Sequence, residues 1–211
     1  MGRENRRPYL VGLTGSIGMG KTETGKLFAQ LGIPVFDSDS VVRALYDPGG
    51  AAVARVAAAF PGTIHDGRVD RTALAAALER DPTAFARLEA IVHPLVRAAR
   101  DEFVRAAAER GDELLVIDIP LLFETGAQDQ LDATVVVSAP RKVQKRRVLA
   151  RPGMTPEKLQ LLHARQMPDE EKRAKADFVI ETDKGLEQAF ADVKRVAAEL
   201  RARAKHRPPD A

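Results

Sequence analysis

The sequence predicts an α/β fold in three layers, with a five-stranded parallel sheet between helices, a helical insertion and a helical lid. Three observations predict it. An apolar run, Tyr9-Leu-Val-Gly-Leu13, leads into a glycine-rich turn and then a segment that places Leu27, Phe28 and Leu31 on one side. Four more short apolar runs follow, at Gly32–Phe36, Leu114–Asp118, Ala133–Val137 and Asp177–Glu181. Helix-period segments separate them, the pattern of parallel strands joined by right-handed crossovers.

The first turn carries the strongest chemical signal. Gly15-Ser-Ile-Gly-Met-Gly20-Lys21-Thr22 fits the phosphate-binding pattern G-x-x-x-x-G-K-[ST] at every fixed position. Glycines let successive backbone N–H groups point inward and form a concave anion site. The helix starting near Gly20 adds unsatisfied N–H groups and the positive end of its dipole. Lys21 then reaches the β- and γ-phosphates, and the Thr22 hydroxyl is the expected ligand of Mg²⁺, together with water. The expected ATP-binding set is Gly15, Ser16, Ile17, Gly18, Met19, Gly20, Lys21, Thr22 and Glu23. With strand before and helix after, the expected fold is that of the P-loop NTPases.

The second strand ends in Asp37-Ser-Asp39, at the sheet edge where open α/β folds bind ligands. One acid can orient or deprotonate an attacking hydroxyl, or hold Mg²⁺ through water, while Asp37 or Ser38 caps the next helix, Val41–Tyr46. Asp39 is the preferred functional acid. Residues 39–110 then read as a helical insertion that receives the acceptor. Asp47-Pro-Gly-Gly50 and Phe60-Pro-Gly62 are turns, and Asp66–Arg71 is a turn followed by a helix start. From Phe85, Leu88, Ile91, Val92, Leu95 and Val96 recur at helical spacing, and Pro94 is expected to break or kink this helix and leave His93 at a corner. A histidine so placed is structural or catalytic, and spacing alone favours the structural role.

Leu114–Asp118 is a buried strand whose terminal acid resembles the second nucleotide-binding motif. Ile119-Pro-Leu-Leu-Phe-Glu124 lines a pocket or packs. Between Arg141 and Lys175 the chain holds an excess of basic residues, and the rest is net acidic. Ser138 before Pro140 and Thr155-Pro156 suit helix starts. A helix–turn–helix over 141–168 bearing Arg146, Arg147 and Arg151 reads as a lid over triphosphate, whose arginines stabilise charge on the transferring group. A solvated basic face and a nucleic-acid surface are the other readings, the latter disfavoured by scarce aromatics. A final amphipathic helix runs through Leu186, Phe190, Val193, Val196 and Leu200, and 204–211 and 1–8 read as flexible termini.

Bulk composition agrees. The chain has 211 residues, 45% apolar and 30% charged, with net charge +3 and no cysteine. That describes one globular domain with insertions, no disulfides and no thiolate metal site. No apolar run approaches the ~18 residues of a membrane span, and MGRENRRP has no apolar segment behind it. A cytoplasmic protein without membrane or nucleic-acid partners is expected. The guanine-reading Asn-Lys-x-Asp of regulatory GTPases is missing, since the single asparagine is Asn5.

Taken together, GLTGSIGMGKT (12–22), FDSD (36–39), DGRVDR (66–71), IVHP (91–94), DIPLLFE (118–124), and Gln144, Arg147, Arg151 and Gln166 resemble the dephospho-CoA kinases, in order and over about 9–203. The resemblance implies ATP-dependent phosphorylation of the ribose 3′-hydroxyl of dephospho-CoA, with Mg²⁺, by a monomer or small homo-oligomer. It implies Lys21, Asp39, Arg147 and Arg151 as catalytic, Asp39, Arg71, His93 and Leu121 as contacts to the acceptor, and Asp39 as a possible aid to Mg²⁺. Ser16 stands where the family usually has Gly, Met19 where it has Ser, and Glu23 where a small hydroxyl residue is common. Glu181-Thr182-Asp183 replaces an Asp-Asn pairing and puts an adenine-side contact in doubt. Asp118 varies within the family and carries no essential role in this reading.

Overall fold

The computed structural model describes residues 7–164 and 166–207. In chain order the elements are β1 (Tyr9–Thr14), α1 (Lys21–Gln30), β2 (Val35–Asp37), α2 (Ser38–Tyr46), α3 (Val53–Ala59), β3 (Ile64–His65), β4 (Arg68–Val69), α4 (Arg71–Arg80) and α5 (Ala84–Arg110). They continue with β5 (Leu114–Asp118), a 3₁₀ turn (Ala127–Gln130), β6 (Ala133–Ser138), α6 (Arg141–Leu149), α7 (Pro156–His163), α8 (Asp169–Lys175), β7 (Phe178–Glu181) and α9 (Leu186–His206).

The strands form a five-stranded parallel sheet in the order β2-β5-β1-β6-β7. Every residue of β5 and β6 is buried, as expected of strands covered on both faces. The register sets Leu13 beside Asp118 and Ser138 beside Glu181, so the ends of β5, β1, β6 and β7 share one edge. On this sheet, Leu13, Val116, Val135 and Ile180 pack with Phe28 of α1 and Val193, Val196 and Leu200 of α9 into one core.

The chain divides into two compact units, the described parts of Met1–Phe36 with Val104–Ala211, and Asp37–Phe103. The second has its own core, in which Tyr46, Val56, Phe60, Val69, Leu74 and Val92 are buried.

Two expectations need correction, and a third gains a detail. Pro94 lies inside α5, which runs unbroken for 27 residues, so His93 is an exposed mid-helix residue and not at a corner. Proline removes one interior hydrogen bond, but Leu88, Ile91, Val92, Leu95 and Val96 all pack on the second core and hold the helix through it. The turn and helix start expected over Asp66–Arg71 are present, with an unexpected hairpin around the turn: β3 and β4 pair antiparallel across Asp66 and Gly67, both at positive φ, and Asp70 then caps α4 through the N–H groups of Thr72 and Ala73. A two-residue ladder is too short for its alternation to show in sequence. Finally, α9 continues to His206, while Arg7 bonds Asp132 at 2.9 and 3.0 Å and Arg207 reaches the same carboxylate at 3.2 Å. Residues 1–6 and 208–211 of the expected flexible termini lie outside the described residues. Ser138 ends β6 and Pro140 caps α6, whereas Thr155 caps α7 by accepting from the Lys158 N–H.

Candidate active site

The loop from Gly15 to Gly20 joins the C-terminal end of β1 to the N-terminus of α1. Its shape depends on glycine at two places. A Cβ on Gly15 would stand 2.6 Å from the Val137 carbonyl oxygen, a contact that neither backbone can relieve cheaply. Gly20 caps α1 at φ 102°, where a side chain is strained, and a Cβ there would press on Thr182 at 3.1 Å. Gly15→Ala is accordingly expected to destabilise the fold by about 1–3 kcal/mol, the usual scale of overpacking. Urea unfolding checks this; a midpoint unchanged from the wild type would show that the loop tolerates the methyl group.

Around this loop the side chains are engaged. Lys21 opens α1, and its Nζ pairs with Asp118 Oδ1 at the end of β5. Thr22 is exposed on the same first turn. Glu23, also exposed, pairs with Lys26 at 2.8 Å, an ion pair in solvent. Met19 is buried, and its sulfur accepts from the Ala139 N–H at 3.1 Å. Gln144 Nε2 donates to the Ile17 carbonyl at 2.9 Å, and Gln166 Oε1 accepts from the Ile17 N–H at 3.3 Å.

Arg147 lies across the loop's far end. Its Nη1 donates to the Thr182 hydroxyl at 2.8 Å and its Nη2 to the Thr182 carbonyl at 2.6 Å. The Thr182 hydroxyl in turn donates to the Met19 carbonyl at 2.6 Å. Thr182 therefore joins α6, the end of β7 and the phosphate loop, a role its place after the last strand did not reveal. Arg151 is exposed just past α6. A cavity of about 520 Å³ opens beside the loop, lined among others by Ser16, Met19, Gln144, Gln166, Arg173 and Asp183. Leu121 is 38% exposed in the turn after β5.

The Asp37–Phe103 unit holds the other expected residues. Asp37 is the cap of α2: it accepts from the Ser40 N–H at 3.0 Å and the Ser40 hydroxyl at 2.6 Å. Burial pushes its carboxyl up, but those two bonds, with Arg43 nearby, outweigh it and hold the group below the usual carboxylate range. Asp39 sits exposed in the first turn of α2, and its carboxylate has no hydrogen-bond or ion-pair partner among the described residues. Of the two acids, Asp37 is the one that caps, and Asp39 takes no part in the cap. Arg71, exposed at the start of α4, lines a cavity of about 380 Å³ with Tyr46, His65, Arg68 and Asp70. Burial raises the Tyr46 phenol pKa against the opposing pull of Arg71.

A family model described as dephospho-CoA kinase matches residues 9–188. The chain belongs to the dephospho-CoA kinase family. It is 55% identical over 192 residues to a protein of Mesorhizobium japonicum named dephospho-CoA kinase, covering 91% of this chain and 96% of that one. With the similarly named protein of Rhizobium etli it shares 52% identity, over 92% of this chain and 94% of that one. Among solved structures, the Thermus thermophilus protein TT1252 superposes with a TM-score of 0.78 at 36% identity, over 92% and 99% of the two chains. A dephospho-CoA kinase from Campylobacter jejuni shares the fold, with a TM-score of 0.64 at 21% identity and coverage of 92% and 97%.

As a member of the dephospho-CoA kinase family, the chain is a P-loop kinase. Asp118, Thr182 and the two glutamines on Ile17 meet the phosphate loop through contacts that the sequence did not disclose. A strand ending in Asp beside a phosphate loop was the available signal for Asp118.

Proposed function

We propose that this kinase transfers the γ-phosphoryl group of ATP to the ribose 3′-hydroxyl of dephospho-CoA, giving CoA and ADP. The observation that carries the reading is the family match across 9–188 in a chain whose phosphate loop keeps every fixed residue. Loop N–H groups and Lys21 hold the phosphates, Lys21 exchanging its Asp118 partner for phosphate oxygens. Asp39, exposed and without a side-chain partner among the described residues, orients the acceptor hydroxyl and takes its proton as the bond to phosphorus forms. Arg147 and Arg151 neutralise charge on the transferring group, and residues 141–168 act as the lid that brings Arg151 in. Arg71, His93 and Leu121 contact the acceptor.

Mg²⁺ fits the donor set. No cluster of three acidic or histidine side chains that could cage a metal is present among the described residues, and the exposed Thr22 hydroxyl offers a single hard oxygen. That suits a cation bound chiefly by substrate phosphates and water. When bound there, Mg²⁺ would be held through Thr22 and water and would supply positive charge to offset that of the phosphates. No helix among the described residues is long and apolar enough to cross a membrane. A cytoplasmic monomer or small homo-oligomer, with ATP and dephospho-CoA as partners and no nucleic acid, completes the reading.

The test is ADP release from Mg-ATP with dephospho-CoA, run beside AMP, CMP, shikimate, gluconate and no acceptor. Turnover with dephospho-CoA alone, with CoA identified as product, is the expected result. Preference for another acceptor would overturn the assignment of Arg71, His93 and Leu121 to dephospho-CoA.

A further inference from the structure

The phosphate loop is gripped from outside at one residue. The N–H of Ile17 donates to Gln166 Oε1 and its carbonyl accepts from Gln144 Nε2. Gln144 is 2% exposed on α6, and Gln166 follows α7, so the two stems of the basic segment converge on Ile17. The Gln166 stem is itself fixed: the next N–H, that of Met167, donates to Glu124 at 2.8 Å. Pinning both peptide groups around the Ile17 Cα fixes its φ and ψ and the entry into Gly18, which stands at φ 77°. The N–H groups from Gly18 onward form the anion site, so their direction follows from this grip.

We infer that Gln144 and Gln166 are positioning residues for nucleotide binding, holding the loop in its phosphate-ready shape. The inference rests on the nucleotide-binding reading above. A loop ordered in advance loses less entropy when the phosphates arrive, so the grip acts on affinity and not on chemistry. The peptide groups dictate polarity: position 166 must supply an acceptor and position 144 a donor.

That polarity gives a test in which charge and geometry predict opposite orders. Dissociation constants for Mg-ADP are measured by calorimetry on the wild type, Gln166→Glu and Gln166→Lys. Attraction between charges alone makes the Lys variant the tightest binder, because the ligand is anionic. The grip requires the reverse. A glutamate still accepts from the Ile17 N–H, whereas an ammonium presents a donor to a donor and leaves that N–H unpaired. The expected result is that Gln166→Lys binds Mg-ADP at least about fivefold more weakly than Gln166→Glu, the scale of one lost hydrogen bond. Its KM for ATP rises correspondingly, with kcat at saturation nearly unchanged. A Lys variant binding as tightly as the Glu variant overturns the inference.

Position 144 is checked with Gln144→Met, which keeps the volume and deletes the donor. A loss of about fivefold or more is expected; affinity indistinguishable from the wild type removes Gln144 from the grip. Failure of the wild type itself to bind Mg-ADP would sink the nucleotide reading instead, and so separates the two.

Discussion

Asp39→Asn is expected to lower kcat by about 10²–10⁴-fold, the range of general acid–base catalysis, while leaving Mg-ATP affinity close to that of the wild type. The substitution keeps the shape of the side chain and its hydrogen-bonding reach. It removes the negative charge and the capacity to take a proton. Because Asp39 has no partner among the described residues, no cap or ion pair is lost with it, and a fall in rate reports on the reaction. Asp37 provides the control. Asparagine caps helices about as well as aspartate, so Asp37→Asn is expected to fold and turn over far better than Asp39→Asn. Single-turnover rates at saturating substrates make the comparison. If Asp39→Asn retains near-wild-type rates, the acceptor hydroxyl loses its proton elsewhere and Asp39 leaves the mechanism.

The contrast between these two acids shows where sequence reading stops. Both stand at the end of a short strand, and both belong to residue types that cap helices or serve in catalysis. Only the bonds from the Ser40 N–H and hydroxyl to Asp37 identify which of them is the cap. The sheet, by contrast, was legible in outline. Burial along their whole length forces the apolar runs of β5 and β6, whereas β7 alternates buried with half-buried residues and β2, with one buried residue of three, runs Val35–Asp37 and not Gly32–Phe36. The phosphate loop was legible because its glycines answer local backbone demands, such as the φ of 102° at Gly20.

What escaped the sequence depends on partners far along the chain. The unbroken course of α5 through Pro94 comes from packing that overrides a local breaker, with Ile91, Val92 and Leu95 all set on the second core. Arg147 reads as a free lid arginine in sequence, yet it is bound to Thr182, 35 residues away. The Lys21–Asp118 pair spans 97 positions, and the Gln166–Ile17 contact 149. No periodicity or motif spacing carries such pairings, because parallel sheets bring together strands that are distant in sequence.

Glu124→Gln is expected to destabilise the fold by about 3–5 kcal/mol, the cost of leaving one member of a buried ion pair alone. Glu124 ends the Ile119–Glu124 stretch after β5, and its Oε1 lies 2.8 Å from Lys172 Nζ on α8. Lys172 is fully buried, so no water takes over the ammonium when the carboxylate is gone. A glutamine still accepts from the Met167 N–H, which makes the loss a measure of charge and not of that bond. Burial pushes the Glu124 carboxyl up, but Lys172 and the Met167 N–H outweigh it, so its pKa in the folded protein lies below the ordinary value. The sign follows from linkage. Stability from this group is fully present above the unfolded glutamate pKa of about 4.3 and is lost as pH falls through the lower, folded value. Urea unfolding at neutral pH gives the single-variant loss, and a double variant, Glu124→Gln with Lys172→Met, identifies its origin. Removing the stranded ammonium is expected to restore most of the stability; a double variant as unstable as Glu124→Gln would show that the pair's charges are not what holds α8. Since the same carboxylate anchors Met167 beside Gln166, Glu124→Gln also reads out the loop grip. With the Met167 bond retained, Mg-ADP affinity should follow the wild type wherever the variant remains folded.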